Sequence, residues 1–202
     1  MLRTPFEVVR DLEYRLRLAP GTFDWTGPLD PQADPLWRRL QAGEITEPGY
    51  WAARAEEVAA VTGEPGVRAM MRLLYPRDEI ETHLRKEAYD TLARAKAAGL
   101  RTAVLTNDLV VFFDPETIAR IQFLAQVDAV MDGSVAGIYK PDPLAYHEVL
   151  DSLGVASAAT VFVDDQPRNV AGARAVGMRA VLFDVTRPRA SYRKLRQVLG
   201  FT

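Results

Sequence analysis

The sequence predicts an α/β fold, a Rossmann-like parallel sheet covered by helices, with an all-helical stretch set into it near the amino terminus. Apolar runs at 101–106, 129–131, 160–164 and 179–183 alternate with helical segments, and strands that alternate with helices pair in parallel through right-handed crossovers. Gly99, Gly154 and Gly177 each close a helical segment just before such a run, as a left-handed cap does. Residues 10 to 78 carry helical spacing and no strand pattern.

Taken in order, Phe6, Val9, Leu12 and Leu16 recur at helical spacing after Pro5, so a helix is expected from Thr4 to Leu18, ended by Ala19-Pro20-Gly21. The stretch 23–35, with Pro28, Pro31 and Pro35, reads as a loop. Helices are expected at 35–42, 47–62 and 66–74, the second capped by Thr46. A long helix from Asp78 to Ala98 then leads to the strand ending at Thr106. Helices at 115–124, 143–153 and 167–176 separate the remaining strands. The expected division is a helical unit at 10–78 and an α/β core at 1–9 and 79–202.

The chain has 202 residues, 48% of them apolar, enough for one good core and a small second one. A net charge of −2 gives no general drive toward nucleic acid or anionic membrane. With no cysteine, disulfides, thiolate metal sites and a cysteine nucleophile are excluded. No charged start precedes an apolar run long enough for a signal peptide or a membrane span, and a cytoplasmic protein is expected. His83 and His147 stand alone on helical segments and read as surface or core residues rather than catalytic ones, and Trp25, Trp37 and Trp51 lie in the helical region, where packing roles are expected. The run Arg187, Arg189, Arg193, Lys194 and Arg196 lacks interleaved aromatics and reads as a solvated helix face.

Chemistry concentrates in three runs. Val-Phe-Val-Asp164-Asp165-Gln-Pro-Arg-Asn169 delivers two adjacent carboxylates to a helix start. Like charges side by side call for a cation, a base or solvent; a cation site and a solvated helix cap with Asp165 as the capping group both remain open on this run alone. Thr106 ends an apolar strand and is followed by Asn107 and Asp108, and Lys140 sits in Ile-Tyr-Lys140-Pro-Asp-Pro between a turn and a helix. A hydroxyl, a lysine and an acidic pair, each at a strand end or loop, suit a phosphate group beside a divalent cation. Oxygen-only ligands favour Mg²⁺ over zinc.

From 79 to 183 these runs resemble the haloacid dehalogenase superfamily, with Leu-Thr106-Asn107-Asp108, Tyr-Lys140-Pro-Asp-Pro and Val-Phe-Val-Asp164-Asp165-Gln-Pro-Arg-Asn169 as its second, third and fourth motifs. The similarity is strongest to its phosphatase-like branch, related to the N-terminal domain of soluble epoxide hydrolases. The resemblance implies that 10–78 form a helical cap and that a small phosphorylated metabolite is hydrolysed through an aspartyl-phosphate. Thr106 and Lys140 become the catalytic residues, with Asn107 beside them on the substrate; Asp165 and Asp164 become Mg²⁺ ligands, with Asn169 supporting them. The dehalogenase branch is disfavoured, since it carries Ser-Ser-Asn in place of the acidic pair. No nucleic-acid or membrane partner is implied, and a homodimer is among the assemblies left open.

The family's first motif, the nucleophile aspartate at the end of the central strand, has no match. Met1-Leu-Arg-Thr-Pro5-Phe-Glu resembles the segment that follows that aspartate in relatives. The expectation is a start placed too late, a valine codon of a GC-rich gene having been taken for initiation. Without that strand, those ending at Thr106 and Asp164 lack their shared neighbour, and each unpaired buried ladder group costs about 1–3 kcal/mol. The alternative is a degenerate, non-catalytic binding or regulatory protein of the same fold.

Overall fold

A computed structural model of the chain describes residues 1–201. They form two compact units: one helical, of residues 2–84 and 111–117, and one α/β, of Met1, 85–110 and 118–201. This differs from the expected division at both ends, because 2–9 and 79–84 pack with the helices. Phe6 shows why: its ring lies 5.2 Å from that of Trp37 and 5.9 Å from that of Trp51.

The helical unit contains α1 (Pro5–Arg15), α2 (Pro35–Gln41), α3 (Glu47–Thr62) and α4 (Val67–Leu74). Local chemistry fixes the starts of the first three. Glu7 accepts from the Thr4 amide at 2.8 Å, Asp34 from the Trp37 amide at 2.8 Å, and Thr46 from the Gly49 amide at 3.2 Å. Trp25, Trp37 and Trp51 are all buried, as their expected packing role requires. One charged group lies among the aromatics: Arg54 donates to Asp34 at 2.6 Å and to Glu57 and Asp24, and stacks on Trp25 and Tyr50. A buried guanidinium is tolerated because its donors are matched.

The expected helix from Asp78 to Ala98 is broken in two. A 3-10 turn spans Arg77–His83, and α5 runs from Lys86 to Ala97. Leu84 between them is extended and bridges Leu2, so a tertiary strand contact overrides helical spacing.

The α/β unit continues with β1 (Ala103–Thr106), α6 (Leu109–Phe112), α7 (Pro115–Arg120), β2 (Ala129–Asp132), α8 (Gly133–Ala136) and α9 (Pro143–Leu153). It closes with β3 (Val161–Asp164), α10 (Pro167–Ala175), β4 (Arg179–Leu182) and α11 (Pro188–Val198). Helices α6 and α7 begin or end in the segment that packs with the helical unit. Strand β1 pairs in parallel with β2, Thr106 opposite Asp132, and β3 pairs in parallel with β4, Asp164 opposite Leu182. Among the described residues β1 and β3 do not pair, so the strands form two parallel pairs and not one sheet.

Alternation sorts the strand side chains onto two helical layers. Phe162 and Ala180 pack with Leu105 of β1 against Tyr146, Leu150 and Ala173 of α9 and α10. Val161, Val163, Val181 and Phe183 pack on the other side with Ala88 of α5 and Tyr192 and Leu195 of α11. Leu105 shares a cluster with Phe162, so the two strand pairs sit under one helix layer although no ladder joins them.

Candidate active site

Two of the three runs singled out in the sequence lie at the carboxyl end of a strand, where open parallel α/β sheets bind their ligands, and the third lies in the loop between α8 and α9. Thr106 closes β1, and Asn107 and Asp108 behind it are buried. Asp164 closes β3, buried, with half-buried Asp165 next to it.

Lys140 joins the two strand ends. Its ammonium donates to the Leu105 carbonyl at 2.9 Å and to Asp164 Oδ2 at 2.7 Å, and lies 5.8 Å from the centre of the Phe162 ring. The ion pair is shielded, with only 10% of the lysine side chain and 7% of the aspartate side chain exposed. Asn107 fixes the lysine from behind: its Oδ1 accepts from the Lys140 amide at 2.9 Å and its Nδ2 donates to the Lys140 carbonyl at 3.2 Å. In this arrangement Asn107 shapes the lysine loop.

Asp164 Oδ1 accepts from the Gln166 amide at 2.8 Å and from Asn169 Nδ2 at 3.0 Å. Asp164 thus reaches the first amide of the turn leading into α10. Asn169 is held in turn by the Tyr146 hydroxyl, which donates to its carbonyl at 2.7 Å. Burial raises the Tyr146 phenol above its ordinary pKa, with the Asp164 charge adding to the effect. Asn107, Lys140, Asp164 and Asn169 are therefore linked by one chain of hydrogen bonds, Thr106 adjoins it through Leu105, and Asp165 flanks it.

Three further residues shape this site without having been singled out in the sequence. Gly172 on α10 lets Pro141 and Tyr146 approach: a Cβ there would lie 2.9 Å from both the Pro141 carbonyl oxygen and the Tyr146 hydroxyl. At Gly133 a Cβ would lie 2.7 Å from the Ile138 carbonyl, so this glycine admits the strand side of the same loop. Asp132, opposite Thr106, accepts from the Val110 amide at 2.8 Å and from the Ser134 amide at 2.9 Å, ordering the turns after β1 and β2. Its signal was present as Asp-Gly-Ser at a strand end, a side-chain turn motif. The glycines carried no comparable mark.

A divalent cation fits this arrangement poorly. Each carboxylate oxygen offers two lone pairs; both on Asp164 Oδ1 are taken by donors, and Oδ2 faces an ammonium. Among the described residues no three acidic, histidine or cysteine side chains converge as a metal cluster.

The parallel strands with polar residues gathered at their carboxyl ends define a Rossmann-like α/β protein. A family model for haloacid dehalogenase-like hydrolases matches residues 18–177, and the chain belongs to that family. It is 36% identical to a Mycobacterium tuberculosis protein named phosphatase MT3486, over 48% of this chain and 45% of that one. It is 30% identical to a phosphoserine phosphatase of Thermus thermophilus, over 74% of this chain and 62% of that one. The chain thus matches less than two thirds of the length of either curated relative. Among solved structures, L-2-haloacid dehalogenase from Xanthobacter autotrophicus superposes with a TM-score of 0.58 at 20% identity, covering 96% of this chain and 84% of that one; this likeness bears on the fold. No helix among the described residues is long and apolar enough to cross a membrane.

Proposed function

We propose that this chain supplies the phosphate-handling part of a phosphatase-type hydrolase that acts on a small phosphorylated metabolite in the cytoplasm. The observation that carries the reading is the Lys140 ammonium, held between the Leu105 carbonyl and Asp164 at the ends of two strands that are not paired to each other. Two of its three N–H groups are engaged there, which leaves one for an anionic oxygen. The Thr106 hydroxyl at the same strand end is the second donor for phosphate, and Asn107 acts by positioning the lysine.

The attacking carboxylate in this reading belongs to a strand that would lie between β1 and β3 and that residues 1–201 do not provide. Its oxygen forms a bond to phosphorus while the bond to the leaving alcohol breaks, and water then cleaves the aspartyl-phosphate to orthophosphate. Lys140 offsets the negative charge on the transferring group. Mg²⁺ is the cofactor of this reading, with Asp165 and Asp164 as its side-chain ligands. Because the Asp164 oxygens are filled, that site requires Lys140 to release Oδ2 first.

The same filled oxygens favour a second reading, a non-catalytic relative that keeps the anion cradle alone. One assay separates the two. The chain is extended at its amino terminus by an apolar strand ending in aspartate, or by the same strand ending in asparagine, and p-nitrophenyl phosphate hydrolysis is followed. Turnover by the aspartate form alone supports the hydrolase; no turnover by either form supports the binding protein.

A further inference from the structure

Lys140 and Asp164 occupy each other in a way that bears on when a cation can bind. We infer that Lys140 is an internal cation that competes with divalent metal for Asp164, so that this chain by itself has no ready Mg²⁺ site. The inference deepens the hydrolase reading, because it states the condition under which the metal of that reading binds.

The argument is one of valence and charge. Asp164 Oδ1 is saturated by the Gln166 amide and the Asn169 side chain. Oδ2 has the Lys140 ammonium at 2.7 Å, and its remaining lone pair would place a divalent ion beside that positive charge. Mg²⁺ requires near-octahedral oxygen ligation and gives up water reluctantly, and one lone pair next to an ammonium is a weak offer. The lysine cannot easily swing aside. The Leu105 carbonyl holds its Nζ at 2.9 Å, Asn107 pins its backbone from both sides, and Gly172 and Gly133 let the loop lie against neighbouring backbone with no room to spare. A further carboxylate placed near Lys140 would offer the ammonium a second anion and loosen its hold on Asp164. Metal affinity and the arrival of such a carboxylate are therefore coupled.

Mn²⁺ serves as the probe, with free ion read by electron paramagnetic resonance. Wild-type chain is expected to show no saturable site into the millimolar range. Lys140→Met should saturate at concentrations lower by about tenfold or more, as expected when a like charge is removed from direct contact, and adding Asp164→Asn should abolish the gain. A wild type that saturates alongside Lys140→Met, or a folded Lys140→Met that gains nothing, overturns the inference. Should circular dichroism show Lys140→Met unfolded, wild type decides alone. A saturable site abolished by Asp164→Asn overturns the inference, and its absence upholds it. A metal site in wild type would leave the hydrolase reading standing. Failure of the strand-extended chain to turn over phosphate ester would sink that reading and leave this one.

Discussion

The two units both bury a paired charge but differ in how completely the packing around it is closed. In the helical unit Arg54 is 2% exposed and matched by Asp34, Glu57 and Asp24, and the Tyr50 and Trp25 rings it stacks on are sealed from solvent. In the α/β unit Val161, Phe162 and Val163 of β3 are only half-buried, although strands of parallel α/β sheets are normally covered on both faces. The helical unit is closed on itself. Among the described residues the α/β unit holds its candidate site at strands paired on one side only, with Lys140 bonded to a β1 carbonyl and the β3 carboxylate. The less finished packing lies where the chemistry is.

Substitutions probe that contrast, and the largest loss is expected in the sealed unit. Asp34→Ala strips Arg54 of its 2.6 Å partner and the Trp37 and Gly27 amides of their acceptor, and should cost about 3–5 kcal/mol in urea denaturation. A loss below about 1 kcal/mol would mean that the network is not the anchor described. Asp164→Ala removes the partner of Lys140 and the acceptor for Gln166 and Asn169. Because that site is less sealed, a smaller loss of about 2–3 kcal/mol is expected; one equal to that of Asp34→Ala would erase the contrast.

Gly172→Ala forces a methyl to within 2.9 Å of the Pro141 carbonyl and should cost about 1–2 kcal/mol. It should also shift the Lys140 and Asn107 resonances, whereas Gly43→Ala, with nothing near its Cβ, should leave them in place. The smallest effect concerns acid. His83 is buried, with neither ring nitrogen hydrogen-bonded. Burial pushes its pKa below 6.5, and the nearby Arg3 and Arg15 charges act the same way against Asp11 and Glu79. The unfolded chain therefore takes up this proton first. Stability is unaffected above the unfolded value and falls as pH drops below about 6.5 toward the lower folded value. His83→Phe should flatten that part of a pH–stability profile, and an unchanged slope would assign it to other groups.

Much of this was legible in the sequence where local chemistry sets the outcome. The helices 47–62 and 143–153 were bounded to the residue, since a capping side chain or a proline starts each and a left-handed glycine ends it. The family and the α/β class followed from three motifs whose residues meet at strand ends. Tertiary contact decided the rest. Helical spacing runs through 78–98, yet the Leu84–Leu2 bridge breaks it. Asp132 orders the turns that hold α6 and α8; its bond to the Ser134 amide is a local turn signal, but its bond to the Val110 amide, 22 residues away, is not. Asn107 was expected beside the substrate, and its amide spans the Lys140 backbone, a pairing across 33 residues that no spacing discloses.

Amide hydrogen exchange on β1 and β3 addresses the central claim most directly. Strands bonded on one side should show alternating protection, with every second amide of 103–106 and 161–164 exchanging at least about a hundredfold faster than its neighbours. In the chain extended by an apolar strand ending in aspartate, those fast amides should slow. Uniform protection of both strands in the chain alone would contradict the account, because it would mean that their ladders are already complete.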